Sequence, residues 1–122
     1  MRVDGKVLVV DDQEGIRKLL GETCNLLGYD VITAPSGKEA LQLAAEHKIR
    51  AAIVDMKMPG LNGIETLREL YTLNPELKIG LMTGYGDVGI VEEILHTLAC
   101  KIIQKPFDLE VIREVLEDSF SA

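Results

Sequence analysis

Five short apolar runs punctuate the chain: Val7 to Val10, Val31 to Thr33, Ala51 to Val54, Ile79 to Met82 and Ile102 to Ile103. Each is too short for a helix, whereas the stretches between them place apolar residues at helical spacing. Ile16, Leu19, Leu20, Thr23 and Leu27 share one helical face, and Leu109, Ile112 and Leu116 share another. This alternation predicts a βα unit repeated five times. A run that is apolar throughout suits a strand covered on both sides, so the expected fold class is α/β, a parallel sheet with helices on both faces.

The punctuation between the runs agrees. Ser36 with Glu39 and Asn62 with Glu65 have capping-box spacing, while Asp87 and Asp108 are suited to cap the helices after the fourth and fifth runs. Gly28 and Asn74-Pro75 supply stops for the first and third helices. No internal linker, low-complexity tract or solenoid repeat interrupts the pattern. A length of 122 residues leaves little room for a second module, so a single domain, 1–122, with no output domain is expected.

Charge narrows the function classes. Thirteen basic against twenty acidic residues leave a net charge of −7, the wrong sign for a phosphate-backbone binder, so no direct nucleic-acid partner is expected. No stretch approaches the ~20 apolar residues of a membrane span, and Met1 to Lys6 precede no signal core, so a cytoplasmic location is expected. Cys24 and Cys100 lack paired metal spacing and are read as reduced, structural thiols. His47 and His96 fall in predicted helices away from the strand ends and are read as surface or packing residues, not phosphodonors.

In an open parallel sheet, ligands bind beyond the carboxyl ends of the strands. Here the first run is followed by Asp11-Asp12, the third by Asp55, the fourth by Thr83 and the fifth by Lys105-Pro106. Any one of these has an ordinary explanation: an Asp as a turn or cap residue, a Thr bonded to local backbone, a Lys-Pro in a loop. Five of them at the same end of successive strands point to a site. Two carboxylates about 5 Å apart repel by roughly 3 kcal/mol at an effective dielectric near 20, so three together call for protonation or a cation. Magnesium, which takes a few carboxylates plus water and phosphate oxygens, fits an open acidic edge. Lys105 can neutralise a phosphoryl oxygen as a point charge, and the Thr83 hydroxyl can donate to another. A carboxylate is also a nucleophile toward phosphorus, and Asp55, standing apart from the Asp11-Asp12 pair, is the expected acceptor.

Val-Val-Asp-Asp at 9–12, Val-Asp-Met-Lys-Met-Pro-Gly at 54–60, Met-Thr-Gly-Tyr-Gly at 82–86 and Lys-Pro-Phe-Asp at 105–108 resemble the receiver domain of bacterial response regulators. The resemblance spans essentially the whole chain. Its specificity lies in the order of the motifs and in intervals of 43, 28 and 22 residues from Asp12 through Asp55 and Thr83 to Lys105. It implies a flavodoxin-like sheet in the order 2-1-3-4-5 and phosphorylation by a sensor histidine kinase. By the same resemblance, Asp55 is the phosphoacceptor, Asp11 and Asp12 hold the metal, and the backbone carbonyl of Lys57 completes a Mg2+ shell in which Mn2+ can substitute. Thr83 and Lys105 then sense the phosphoryl group, and the Lys105-Pro106 bond is cis.

Within the family, Asp-Asp-Gln-Glu-Gly-Ile-Arg at 11–17, with Lys57 and Tyr85, looks closest to single-domain receivers that relay phosphoryl groups between histidines. That likeness implies a histidine phosphotransferase as a further partner. It assigns Gln13, Gly15 and Ile16 to a docking surface, joined by Pro106 and Phe107. Similar motifs occur in receivers cut from enhancer-binding transcription regulators, which keeps that origin open. Ile102 departs from the family, which commonly has Tyr or Phe three residues before the switch Lys. With no hydroxyl to bury or release there, and with Leu98 and Cys100 replacing smaller residues nearby, a muted conformational response is expected.

Three other readings compete. Gly84, Gly86 and Gly89 match G-x-G-x-x-G with Asp108 beyond, but the match follows the fourth run in a chain too short for a second nucleotide-binding half. A haloacid dehalogenase-type phosphatase also uses Asp, Thr, Lys and an acidic pair, yet it needs a second Asp two residues after the nucleophile, where this chain has Lys57. The third is a binding module whose acidic edge only holds a cation.

Overall fold

A computed structural model of the protein describes residues 5–58, 60, 62–84 and 100–120. In chain order it contains β1 (Lys6–Val10), α1 (Glu14–Leu26), β2 (Val31–Ala34), α2 (Gly37–Glu46), β3 (Ile49–Asp55), α3 (Gly63–Leu73), β4 (Lys78–Thr83), β5 (Lys101–Gln104) and α4 (Leu109–Phe120). Every apolar run lies in a strand. The helix expected from Asp87 lies outside the described residues, as do Tyr85, Gly86, Gly89, His96 and Leu98.

The strands form one parallel sheet in the order β2-β1-β3-β4-β5. The chain therefore winds outward from β1 to β2 and then back past β1 to β3. That reversal leaves a crevice between the carboxyl ends of β1 and β3, the topological switch point at which such sheets bind ligands.

Side-chain alternation along each strand feeds two cores. Leu8, Val10, Ala52, Val54, Ile79 and Leu81 pack with Leu67 and Leu70 of α3 and Ala40 of α2. Val7, Val9, Ala51, Ile53, Met82 and Ile103 pack on the other face with Leu20 and Cys24 of α1 and Ile112, Val115 and Leu116 of α4. Each fully buried aliphatic side chain contributes about 1.5–3 kcal/mol of transfer free energy. Burial from both sides explains why the strands read as unbroken apolar runs.

Two positions correct the expected helix faces. Leu19 is 50% exposed and Leu109 48% exposed, so neither belongs to the core. The inward stripe of α1 is instead Ile16, Leu20, Cys24 and Leu27. Cys24 is buried, and burial pushes its thiol up to about 12, as befits an inert packing group.

The helix ends follow the local signals. The Asn62–Glu65 pair forms a reciprocal capping box on α3, Ser36 accepts from the Glu39 amide at 3.2 Å, and Asp108 accepts from the Val111 amide at 2.9 Å. Gly28, at φ +97°, ends α1. Its amide bonds the Asn25 carbonyl while that of Tyr29 reaches back to Cys24, the paired bonds of a Schellman turn. His47 caps the carboxyl end of α2 and lies 3.3 Å from Lys6 Nζ, a packing position remote from the strand ends named above.

Candidate functional site

Among the described residues, three of the four buried polar side chains stand at the carboxyl ends of β1, β3 and β4, the fourth being Thr66 on α3. Asp11, Asp55 and Thr83 are buried beside the core, and each terminates or directly follows an apolar strand. Asp55 is the last residue of β3, in register with Met82, so Thr83 follows one step beyond on the adjacent strand. The Lys105 amide donates to the Thr83 carbonyl at 2.8 Å, which carries the strand alignment into the cis Lys105-Pro106 turn.

Asp11, Asp12 and Asp55 bring carboxylate oxygens within 4.8 Å of one another. The Lys105 ammonium enters the same space, 3.1 Å from Asp55 Oδ1 and 3.7 Å from Asp11 Oδ2. Asp11 Oδ1 accepts from the Gln13 amide at 2.9 Å, whereas Asp11 Oδ2 is buried without a hydrogen-bond partner. Burial pushes the Asp11 carboxyl above the usual carboxylate range and the nearby Asp55 adds to this. The Gln13 amide and Lys105 oppose the rise without cancelling it. Asp12 is exposed, so the cluster opens to solvent on that side.

The remaining sequence-expected residues surround this rim. Lys57 is exposed two residues after Asp55. Gln13 is the N-cap of α1 without a side-chain cap bond, Gly15 is exposed in the first turn, and Ile16 is half-buried against the core. Pro106 is exposed, and Phe107 packs onto the core shared by α1 and α4. Ile102 is half-buried with Cys100 against the core under α2 and α3.

Two contacts had not been anticipated. Arg17 Nη1 donates to the Asp11 backbone carbonyl at 2.8 Å, a link from the second turn of α1 to the end of β1. Gly63, the first residue of α3, lies against the Asp55 carbonyl and Met56 Cα so closely that a β-carbon has no room. Helical spacing places 17 above 13, which hints at the first contact. The sequence carries no comparable hint of the second, because it depends on how α3 approaches β3.

Comparison with known proteins assigns the architecture. The family model for the response regulator receiver domain matches residues 7–117. The chain is 36% identical to sporulation initiation phosphotransferase F of Bacillus subtilis (strain 168), with 92% of this chain and 90% of that protein aligned. It is 30% identical to regulatory protein AtoC of Escherichia coli (strain K12), aligning 96% of this chain to only 25% of that larger protein. Among solved structures, chemotaxis protein CheY4 of Vibrio cholerae superposes with a TM-score of 0.86 at 29% identity, covering 95% of this chain and 98% of that one. Receiver domains generally bind a divalent cation in an acidic pocket, and an acidic cluster stands at the switch point of this sheet. The chain belongs to the response regulator receiver domain family, the phosphoacceptors of two-component and phosphorelay systems.

Proposed function

We propose that the chain accepts a phosphoryl group on Asp55 from the phosphohistidine of a sensor kinase and yields it slowly to water or onward to a histidine phosphotransferase. The observation that carries this reading is the convergence of Asp11, Asp12, Asp55 and Lys105 in one pocket at the switch point.

The donor set fits a hard divalent cation. It consists of carboxylate oxygens, and Asp11 Oδ2 is buried without a hydrogen-bond partner, with only the Lys105 ammonium facing it at 3.7 Å. Asp11, Asp12 and Asp55, with the Lys57 carbonyl, are the groups proposed to hold Mg2+, with Mn2+ as a substitute. When bound, the ion neutralises the carboxylates and the charge of the incoming phosphoryl oxygens.

Asp55 then forms the new oxygen–phosphorus bond as the nitrogen–phosphorus bond to the donor imidazole breaks, its electron pair leaving with the ring nitrogen. Lys105 turns from the carboxylates to a phosphoryl oxygen, and Thr83 donates its hydroxyl to another. Lys57 stands where a hydrolase would keep a carboxylate for proton transfer, so water attack is slow and the phosphoryl group persists. Gln13, Gly15, Ile16, Pro106 and Phe107 surround the pocket as the docking surface for kinase and phosphotransferase. Ile102, lacking an aromatic hydroxyl, goes with a small conformational response that suits a relay carrier. A cytoplasmic setting accords with these partners and with the absence of any membrane-length apolar helix among the described residues.

Labelling with radioactive acetyl phosphate and with kinase tests the assignment. The parent chain should acquire acid-stable, base-labile label only with Mg2+ or Mn2+ present, and Asp55→Asn should acquire none. Undiminished label in Asp55→Asn would exclude Asp55 as acceptor.

A further inference from the structure

Within the acidic rim Asp11 is held through nearly every polar atom it has. Its amide donates to the Ala34 carbonyl at 3.2 Å, its Oδ1 accepts from Gln13, and its carbonyl accepts from the Arg17 guanidinium at 2.8 Å. Only Oδ2 is left over, and it faces Lys105 at 3.7 Å. Asp12, by contrast, is exposed. The placement of its carboxylate depends on the Asp11–Asp12 peptide plane, whose carbonyl is the group that Arg17 grips.

We infer that Arg17 is a positioning residue for cation binding: by fixing the Asp11 carbonyl, it aims the Asp12 carboxylate at the space shared by Asp11 and Asp55. This rests on the reading of the rim as a cation site. The anchor comes from α1, which is itself clamped to the sheet through Leu20 and Cys24, so the guanidinium ties the loop to a rigid element. Partners one step removed from a metal commonly set its affinity by orienting the groups that touch it.

The sign of the effect separates this role from simple electrostatics. Arg17 is a cation near a cation site, so deleting its charge alone should tighten Mg2+ binding or leave it unchanged. Loss of positioning weakens it.

Titration of magnesium chloride into the whole chain by calorimetry, with circular dichroism to check folding, makes the test. In Arg17→Met the dissociation constant should rise by about tenfold. In Lys18→Met, which removes the neighbouring exposed charge, it should stay at or slightly below the parent value. At saturating Mg2+ the labelling rate of Arg17→Met should return to that of the parent. Parent-like or tighter binding by Arg17→Met overturns the inference, as does equal weakening in Lys18→Met. A labelling rate still depressed at saturation also overturns it, since that marks a direct contact with the phosphoryl group. If Arg17→Met does not fold, Arg17→Lys keeps the charge but loses the planar fork, and parent-like binding by that variant overturns the inference. Failure of the parent itself to bind Mg2+ would instead refute the proposed function.

Discussion

The two ends of this sheet differ in kind. At the carboxyl ends of β1, β3 and β4, Asp11, Asp55 and Thr83 are buried, and a single ammonium, Lys105, stands between two carboxylates. At the amino ends of β3 and β4, Lys48, Arg50 and Lys78 line an open cleft of about 410 Å³ together with Asn74, Glu76 and Asp118. The cleft has the larger look of a binding site, yet its charges are mixed and solvated. Asp118 is paired with Lys101 at 2.9 Å on the surface, where an ion pair contributes little. The contrast teaches that buried, incompletely satisfied charge marks the proposed site better than concavity does.

The sharpest way to break that contrast is Asp55→Asn, for which complete loss of acyl-phosphate label is expected under conditions that label the parent. Next in size is Lys105→Met. Removing the ammonium leaves two close, buried carboxylates facing each other. Without divalent cation, chemical denaturation should show the variant destabilised by about 1–3 kcal/mol at neutral pH, with much of the deficit recovered in saturating Mg2+. A variant as stable as its parent in the presence of chelator would mean that the rim tolerates its own charge.

A smaller effect, opposite in sign, is expected at Asp11. Burial raises the folded-state pKa of its carboxyl above the unfolded value, so the proton binds more tightly to the folded chain. The associated stability is therefore present below the ordinary carboxylate pKa of 3.8 and is lost as pH rises through the raised folded value. At neutral pH the ionised group is a cost. In chelator, Asp11→Asn should melt a few degrees above the parent at pH 7, with the gap closing on acidification. A gap that widened in acid would contradict the assignment. Smallest of all, Lys48→Ala and Lys78→Ala at the basic cleft should leave labelling unchanged and shift stability by no more than about 0.5 kcal/mol. A loss of label in either variant would give the amino end a part in the reaction.

Much of this was legible in the sequence because burial on both faces writes itself as consecutive apolar residues. The strand positions, the caps at Ser36, Asn62 and Asp108 and the polar residues following each run appear without coordinates. The helix faces were less legible. Leu19 and Leu109 satisfy the helical spacing but sit at the margin of their stripes, and a stripe's centre is set by the neighbour against which the helix packs. Cys24 reads as a structural thiol, but its place in the core is hidden because it interrupts an otherwise aliphatic pattern. Within the site, side-chain identities were readable but backbone contacts were not. The grip of Arg17 on the Asp11 carbonyl and the single unbonded oxygen of Asp11 depend on how a short loop turns, and no periodicity encodes that.

The glycine at the start of α3 has a mechanical corollary. Its amide donates to the Met56 carbonyl at 3.0 Å while its α-carbon abuts the end of β3, so no compressible side chain cushions the joint. An 11-residue helix, about 16 Å long at 1.5 Å per residue, is thus seated by its first residue directly on the strand end that carries Asp55. Any side chain at residue 63 would collide with the backbone of Asp55 and Met56 and push the helix off its seat before any charge had changed.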